Sequence, residues 1–133
     1  LEFRRVLFRS EADMLELGHL AIQAILRRTK HGLDADLNPF APYSDRYAKE
    51  RAEASLQTSP PDLTRSGDML GAMTPSVTGP GEVTIGFFDP FQALKASVNT
   101  QTRDFFDVRN EEELSILGDA VGDAAVARIR NVP

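Results

Sequence analysis

Cysteine is absent from this chain of 133 residues, and its absence excludes several kinds of chemistry. A disulfide framework, a thiolate zinc site and a cysteine nucleophile are all impossible. Long apolar runs are also missing. None approaches the roughly 20 residues that span a bilayer as a helix, so we expect no membrane insertion. The two histidines, His19 and His31, have no second ligand at a metal-binding spacing. We therefore expect no metal site and no cofactor.

Positive charge is outweighed by negative charge. The chain has 15 lysines and arginines against 20 aspartates and glutamates, which gives a formal net charge of -5 at pH 7. Because nucleic-acid binders usually carry a basic patch or stripe, this balance argues against direct, sequence-specific binding of nucleic acid. The hydrophobic content of 41% and the charged content of 26% are ordinary for a soluble globular domain. The length fits one domain with a modest core.

The first ten residues, LEFRRVLFRS, differ from the rest of the chain. Translated back into codons, they resemble the end of a widely used short-read sequencing adapter at every position. We interpret residues 1–10 as a non-native, adapter-derived segment fused to an open reading frame from environmental DNA, and residues 11–133 as a single domain. The alternative is a genuine basic arm that binds phosphate or lipid. Our interpretation predicts that the native N-terminus is missing. It also predicts that residues 1–10 pack poorly, or merely extend the first helix without burying Val6, Leu7 and Phe8.

Apolar residues at spacings of three and four predict a helix over residues 11–31. The cations of its last turn are Arg27, Arg28, Lys30 and His31. Because they suit the negative end of the helix dipole, we interpret this end as solvated. Gly32 supplies a stop. After a loop braced by prolines, Ser44 is a suitable N-cap for a surface helix from Asp45 to about Leu56.

The next stretch, QTSPPD at residues 57–62, is the most linker-like part of the chain. Thr64 or Ser66 is predicted to cap a short helix that turns Leu70 and Met73 inward. A β-hairpin is then predicted, because apolar residues alternate strictly after a Gly-Pro-Gly turn. Its alternating positions are Val83, Ile85 and Phe87.

The last third of the chain predicts two more helices. Asp89 and Pro90 suit the cap and first position of a helix that carries Phe91, Leu94 and Val98 on one face. Residues 103–108, RDFFDV, are a strand candidate. Asn110 and Glu113 resemble a capping box for a final helix. Its apolar side carries Leu114, Leu117, Val121, Ala124 or Ala125, and Ile129.

Together these elements predict an α+β fold. We expect a small antiparallel sheet, made of the hairpin plus one or two short strands, packed by the N- and C-terminal helices. No internal repeat and no low-complexity segment interrupts this organisation.

One stretch of the chain resembles only the start of a calcium-binding loop. Asp34, Asp36 and Asn38 have the spacing of the first ligands, yet Pro39 occupies the position that needs glycine. We therefore interpret these residues as turn formers.

Catalytic groups are likewise unsupported. Ser44, Tyr47 and Lys49 lack a partner base and an oxyanion donor. The carboxylates at 111–113 suit the first turn of a helix, where the dipole favours negative charge. We predict that the protein is not an enzyme.

Two motifs are similar to those of a known family. Residues 32–51, GLDADLNPFAPYSDRYAKER, resemble the G-x-D-x-x-G-x-P-F-x-P-Y-S-x-x-Y-A segment of phage virion morphogenesis and tail-completion proteins. Residues 62–73, DLTRSGDMLGAM, resemble that family's D-L-T-x-T-G-x-M-L-x-S element. A strand, VTIGF, and then RDFF follow in the family's order. Leu37 stands where the family usually has Gly, and Asp104 replaces its usual Pro.

The resemblance implies a set of candidate motif or interface positions. They are Asp34, Pro39, Phe40, Pro42, Tyr43, Ser44, Tyr47, Asp62, Leu63, Thr64, Gly67, Met69, Leu70, Arg103, Phe105 and Phe106. The aromatic residues among them could anchor a neighbouring protein or fill the domain's own core.

The family's role is structural. The resemblance implies a protein that completes or joins the phage tail, commonly as a ring of identical subunits at the head–tail junction. Its partners are then other tail or neck proteins, and its location is the virion after assembly in the host cytoplasm. The second hypothesis is a small acidic binding module that acts as a monomer on a host or phage protein. A hydrolase with an unrecognised site is the third.

Overall fold

The computed structural model describes residues 2–5, 11–79, 81–121 and 125–128. Its strands are β1 (Glu2–Arg5), β2 (Met73–Gly79), β3 (Glu82–Phe87) and β4 (Ala125–Arg128). Its helices are α1 (Glu11–Lys30), α2 (Asp45–Glu53), α3 (Asp68–Gly71), α4 (Pro90–Thr102) and α5 (Glu111–Val121). Over these ranges, no helix is long and apolar enough to cross a membrane.

The strands form one antiparallel sheet in the order β2-β3-β1-β4. Helix α1 packs against β2 and β3 and also contacts α5, which in turn contacts β4. This arrangement confirms the predicted α+β fold, in which terminal helices flank a small antiparallel sheet.

The hairpin of β2 and β3 forms where the alternation predicts it. Met73 pairs with Phe87, and Val77 pairs with Val83. Val83, Ile85 and Phe87 are buried, and the residues between them are half-buried. One face of β3 therefore supplies the core, as expected for a strand covered on one side.

Helix α1 lies close to the hairpin because of a glycine on its buried face. The predicted stripe of Met14, Leu17, Ala21 and Ile25 is buried. A Cβ at Gly18 would lie only 2.6 Å from the Cβ of Pro75 on β2, so a larger side chain would push the helix away.

The core joins this stripe to residues of the loops, the sheet and the other helices. Its buried members are Met14, Leu17, Ala21, Ile22, Ile25, Phe40, Met69, Leu70, Met73, Val83, Ile85, Phe87, Ala93, Ala96, Phe105, Phe106, Val108 and Leu117. Phe40, Phe105 and Phe106 thus fill the domain's own core.

The end of α1 corrects one expectation. Arg28 is not solvated but 4% exposed. Its Nε lies 3.2 Å from both carboxylate oxygens of Glu113 on α5. Its Nη1 and Nη2 donate to the backbone oxygens of Phe105 and Asp107. A buried guanidinium requires such partners, and they lie far away in the sequence, so helix periodicity could not reveal them.

The segment 103–108 is not the predicted strand. Phe105 and Val108 are buried, but the backbone makes turns, with the N–H of Phe105 donating to the oxygen of Arg103 and that of Asp107 to the oxygen of Phe105. Burial without a neighbouring strand explains the apolar pattern.

The last helix is shorter than predicted. Helix α5 ends at Val121, and Ala125 lies in β4. The cap itself is confirmed, because the side-chain oxygen of Asn110 accepts from the N–H of Glu113 at 2.9 Å. The alternatives Ala124 and Ile129 lie outside the described residues.

Two further expectations are corrected near the other helices. Gly67, in the left-handed region with φ of 84°, occupies the N-cap position of α3 and makes no side-chain cap, whereas the Ser66 hydroxyl, one residue earlier, accepts from the N–H of Asp68 at 3.3 Å. Helix α2 ends at Glu53, three residues before the predicted Leu56.

The first residues form a strand. Glu2–Arg5 pair with β3 on one side and β4 on the other. Of the two alternatives predicted for residues 1–10, poor packing or an extension of α1, the second is therefore wrong for Glu2–Arg5, whose backbone pairs with β3 and β4 instead. The expectation for Val6, Leu7 and Phe8 lies outside the described residues.

Candidate functional site

The loop between α1 and α2 is ordered by short side-chain contacts. The Asp34 carboxylate accepts from the N–H groups of Asp36 and Asn38, both at 2.9 Å. This confirms the interpretation of these residues as turn formers. Leu37 has a φ of 66°, a left-handed conformation that favours glycine. That is the position where the resembled family has Gly.

Helix α2 begins as predicted and buries one charged residue. The Ser44 hydroxyl accepts from the N–H of Tyr47 at 3.2 Å, which caps the helix. Most of the helix is exposed, but Arg51 is 1% exposed. Its position one turn after Tyr47 places both side chains on the same face of the helix.

Arg51 is held by three oxygens and two rings. Its Nε donates to the Gln57 oxygen at 2.7 Å. Its Nη2 donates to the Asp62 carboxylate and to the Thr64 oxygen, both at 2.9 Å. The guanidinium carbon also lies 4.8 Å from the ring centroid of Tyr43, a distance typical of a cation–π contact. A buried charge is thereby fully paired.

Tyr43 joins the same cluster from the loop side. Its hydroxyl accepts from the N–H of Leu63 at 3.0 Å. Arg103, at the end of α4, donates to the oxygens of Ala41 and Pro42 at 2.7 and 3.0 Å. The guanidinium carbon of Arg103 lies 4.9 Å from the Tyr43 ring centroid. Segments 32–51 and 62–73 and Arg103 therefore meet around one tyrosine.

A cleft of about 520 Å³ opens beside this cluster. Four of its lining side chains are cationic and one, Asp68, is acidic. The lining residues are Tyr43, Ser44, Tyr47, Arg51, Leu63, Arg65, Ser66, Gly67, Asp68, Met69, Lys95, Asn99 and Arg103. The charge of this basic cleft is opposite in sign to that of the whole chain.

Three cations of the basic cleft have no carboxylate partner among the residues that the structure describes. Among the described residues, the ion pairs involve Arg28, Arg46, Arg51 and Arg109 but not Arg65, Lys95 or Arg103. The Lys95 ammonium instead lies 4.6 Å from the ring centroid of Phe91. The cleft therefore offers unpaired donors for an oxyanion such as a carboxylate or phosphate.

An apolar stripe on α4 borders the basic cleft. Phe88, Phe91, Leu94 and Val98 are 69%, 62%, 62% and 58% exposed. The expectation that Phe91, Leu94 and Val98 share one face is consistent with their spacing, but that face points away from the core. Gln92, Ala93 and Ala96 form the buried side of the helix. We call Phe88, Phe91, Leu94 and Val98 the α4 stripe.

A second charged cluster surrounds Arg109. Its guanidinium contacts Asp36, Asp104 and Asp107 at 2.6–2.7 Å. Hydrogen bonding to Arg109 lowers the pKa of Asp36 below its ordinary value. Burial raises the pKa of Asp107, although Arg109 opposes this shift. The cluster joins the 34–38 loop to the segment before α5.

The part of the chain that the structure describes contains no set of three or more histidine and carboxylate side chains that could hold a metal ion. The Ser44 hydroxyl serves as a helix cap, and Lys49 does not line the cleft. The cleft presents cationic and hydroxyl donors.

The structure separates the sequence-predicted positions into three groups. Seven line the basic cleft: Tyr43, Ser44, Tyr47, Leu63, Gly67, Met69 and Arg103. Asp34, Pro39, Pro42, Asp62 and Thr64 shape the adjoining loops. Phe40, Leu70, Phe105 and Phe106, together with Met69, lie in the core.

Sequence reasoning missed Arg51, Arg65, Lys95 and Asn99. Arg51 carries a usable signal, since it follows the motif residue Tyr47 by one turn of α2. Lys95 and Asn99 are also one turn apart on α4, but nothing in their spacing identifies which segment they face.

Comparison with known proteins found no matching family model, no similar curated sequence and no similar solved structure. The likeness to phage tail-completion proteins therefore depends on the motif residues themselves.

Proposed function

We propose that this protein is a structural component of a phage tail or head–tail neck, which completes or joins the tail during virion assembly. The observation that carries the proposal is the convergence of both motifs and Arg103 on Tyr43. Residues that are far apart in the sequence but shared with the family's pattern form one junction. Contacts of this kind give a structural reason for the residues of both motifs and Arg103 to occur together in one sequence.

The α4 stripe supports an assembly role. Apolar side chains that lie together on a surface commonly mark a protein–protein contact. Four large apolar residues with more than half of their surface exposed lie on or directly before one helix. We propose that a neighbouring copy covers them in a ring of identical subunits, with other tail or neck proteins as further partners.

The proposal places the protein in the virion, at the tail or head–tail junction, after assembly in the host cytoplasm. Its action is non-enzymatic, and it requires no cofactor, no membrane and no sequence-specific contact with nucleic acid. The genes that flank this reading frame provide an independent check. Portal, head-closure or tail-tube genes beside it would support the proposal, whereas a metabolic operon would contradict it.

The molar mass under native conditions tests the proposal directly. We expect assembly into oligomers that light scattering detects with rising protein concentration. Replacing Phe91 and Leu94 together by Ser should raise the dissociation constant of the assembly by roughly tenfold or more, because buried apolar anchors dominate interface energies. Ile116→Ser, which changes an exposed apolar residue on α5, is the matched control and should assemble normally.

A stable monomer at high concentration, without binding to tail-tube or neck proteins, would contradict the proposal. That result would favour the small acidic binding module.

A further inference from the structure

We propose that the basic cleft receives a carboxylate-bearing surface of a neighbouring copy of this chain. The inference rests on the proposed assembly function. It adds a charged contact, made by the basic cleft, to the apolar contact proposed for the α4 stripe.

The cleft has the donors that a carboxylate needs. Arg65, Lys95 and Arg103 have no ion-pair partner among the described residues. Arg103 donates its Nε and Nη2 hydrogen bonds to the oxygens of Ala41 and Pro42. These bonds fix the guanidinium at the cleft wall. A positioned cation loses little side-chain freedom when a ligand binds.

A second copy supplies the matching charge. Outside the cleft the chain is acidic, because the cleft contributes four cations and one acid to a total charge of -5. Exposed carboxylates occur on α2 at Glu50 and Glu53 and at the start of α5 at Glu111 and Glu112. Complementary charges on two faces of one molecule favour contacts between copies.

The rings beside the cleft argue against a nucleic acid as the occupant. Arg51 and Arg103 both lie over Tyr43, and Arg51 lies 5.7 Å from the centroid of Tyr47. Single-stranded nucleic acid is bound largely by stacking bases on aromatic faces. These rings are already engaged, and the acidic remainder of the surface would repel a polyanion.

The geometry of such a contact favours a ring. The basic cleft on one copy meets a different, acidic surface on the next copy, so the interface is head-to-tail. Head-to-tail contacts close into rings when the rotation between copies allows it. Lys95 lies between the basic cleft and the α4 stripe, because it lines the cleft and its ammonium also lies over the ring of Phe91.

Charge reversal tests the cleft. We expect Arg65→Glu and Lys95→Glu each to raise the dissociation constant of the assembly by roughly tenfold or more, since like charges across a contact repel. Lys30→Glu makes the same change in charge on α1, outside both the cleft and the acidic segments of α2 and α5, and it should leave the constant within about twofold of the unmodified protein. Circular dichroism of each variant verifies that it is folded.

Carbodiimide cross-linking tests the same contact without a substitution. The reagent joins a lysine amine to a carboxylate through an amide bond. The chain has lysines at positions 30, 49 and 95 only. In an assembly mixed from ordinary and nitrogen-15-labelled protein, we expect cross-links between copies at Lys95. Lys30 and Lys49 are exposed internal controls.

The outcomes separate the two proposals. If the unmodified protein assembles but the cleft variants match Lys30→Glu, or the cross-links between copies avoid Lys95, the cleft inference is wrong and the assembly function stands. If the unmodified protein is monomeric at every concentration, both are wrong.

Discussion

Two buried arginines in this molecule have similar partners but different surroundings. Arg28 pairs with Glu113 and two backbone oxygens between α1 and α5. Arg51 pairs with Asp62 and two backbone oxygens, and it also lies over Tyr43. Their side chains are 2% and 1% exposed, whereas Glu113 is 10% and Asp62 is 17% exposed.

The comparison distinguishes Arg28, which stabilises the packing of the fold, from Arg51, which positions the segments around the basic cleft. Arg28 is buried between α1, α5 and the segment before α5. Arg51 lines the basic cleft and fixes the relative position of the α2 helix and the 57–64 segment. Removal of Arg28 should therefore loosen the whole domain, while removal of Arg51 should act first on the cleft.

The largest effect is expected from Arg28→Ala. It leaves the Glu113 carboxylate buried without its cation, so the free energy of unfolding should fall by about 3–5 kcal/mol. Urea unfolding measures this loss. Arg27→Ala, one residue earlier and exposed, should change the value by less than about 0.5 kcal/mol.

A double replacement sharpens this prediction. Arg28→Met with Glu113→Leu removes both charges, so most of the lost stability should return. A double variant as unstable as Arg28→Ala would show that packing around the pair, and not the unpaired charge, decides the outcome.

A smaller effect is expected from Arg51→Ala. The Asp62 carboxylate is nearer to water than Glu113, so it can be rehydrated, and we expect a loss of about 2 kcal/mol in unfolding free energy. The ring signals of Tyr43 should shift in NMR spectra because a cation leaves its face. Arg46→Ala is the control on the same helix, since Arg46 is exposed and only pairs with Glu50.

Arg51→Lys gives a second comparison. A lysine cannot reproduce the fork that contacts three oxygens, so it should recover only part of the stability. Equal losses for Arg51→Ala and Arg28→Ala would contradict the distinction between the two sites.

The smallest effects are expected from the cluster around Arg109, where the stability of the fold should change with pH. The pKa of Asp36 is lowered in the fold by Arg109, so its contribution is present above its ordinary pKa of 3.8 and is lost as pH falls through the folded value. The pKa of Asp107 is raised by burial. Its contribution has the opposite sign, and the folded state loses stability as pH rises from 3.8 through the raised value.

Thermal unfolding between pH 7 and pH 3 measures both contributions. Asp36→Asn should make the acid-side loss of stability shallower, and Asp107→Asn should make it steeper. Changes in the same direction for both variants would contradict these assignments.

Local signals in the sequence were sufficient for much of the fold. The α1 stripe, the Ser44 and Asp89 caps and the β3 alternation each depend on neighbouring residues, and the structure confirms them. The errors concern partners distant in the sequence. Within residues 103–108, Phe105, Phe106 and Val108 are apolar because they are buried in the core, and the pattern alone could not distinguish this from a strand.

The candidate site was predicted only in part for the same reason. The motifs identified Tyr43, Asp62 and Arg103, which hold the cleft wall. Arg65 and Lys95 supply unpaired charge and Arg51 an ion-paired one, but the three come from separate segments, and a negative total charge conceals a local basic surface. Only the folded chain brings these cations together.

The outer strand β2 has a further consequence for how copies of this protein can meet. It lies at one end of the sheet order and carries Pro75, which packs against Gly18 of α1. A proline has no N–H to offer to an added strand, so the open side of β2 is a poor template for joining two sheets edge to edge. Aggregation by strand addition is thereby disfavoured at this edge of the sheet.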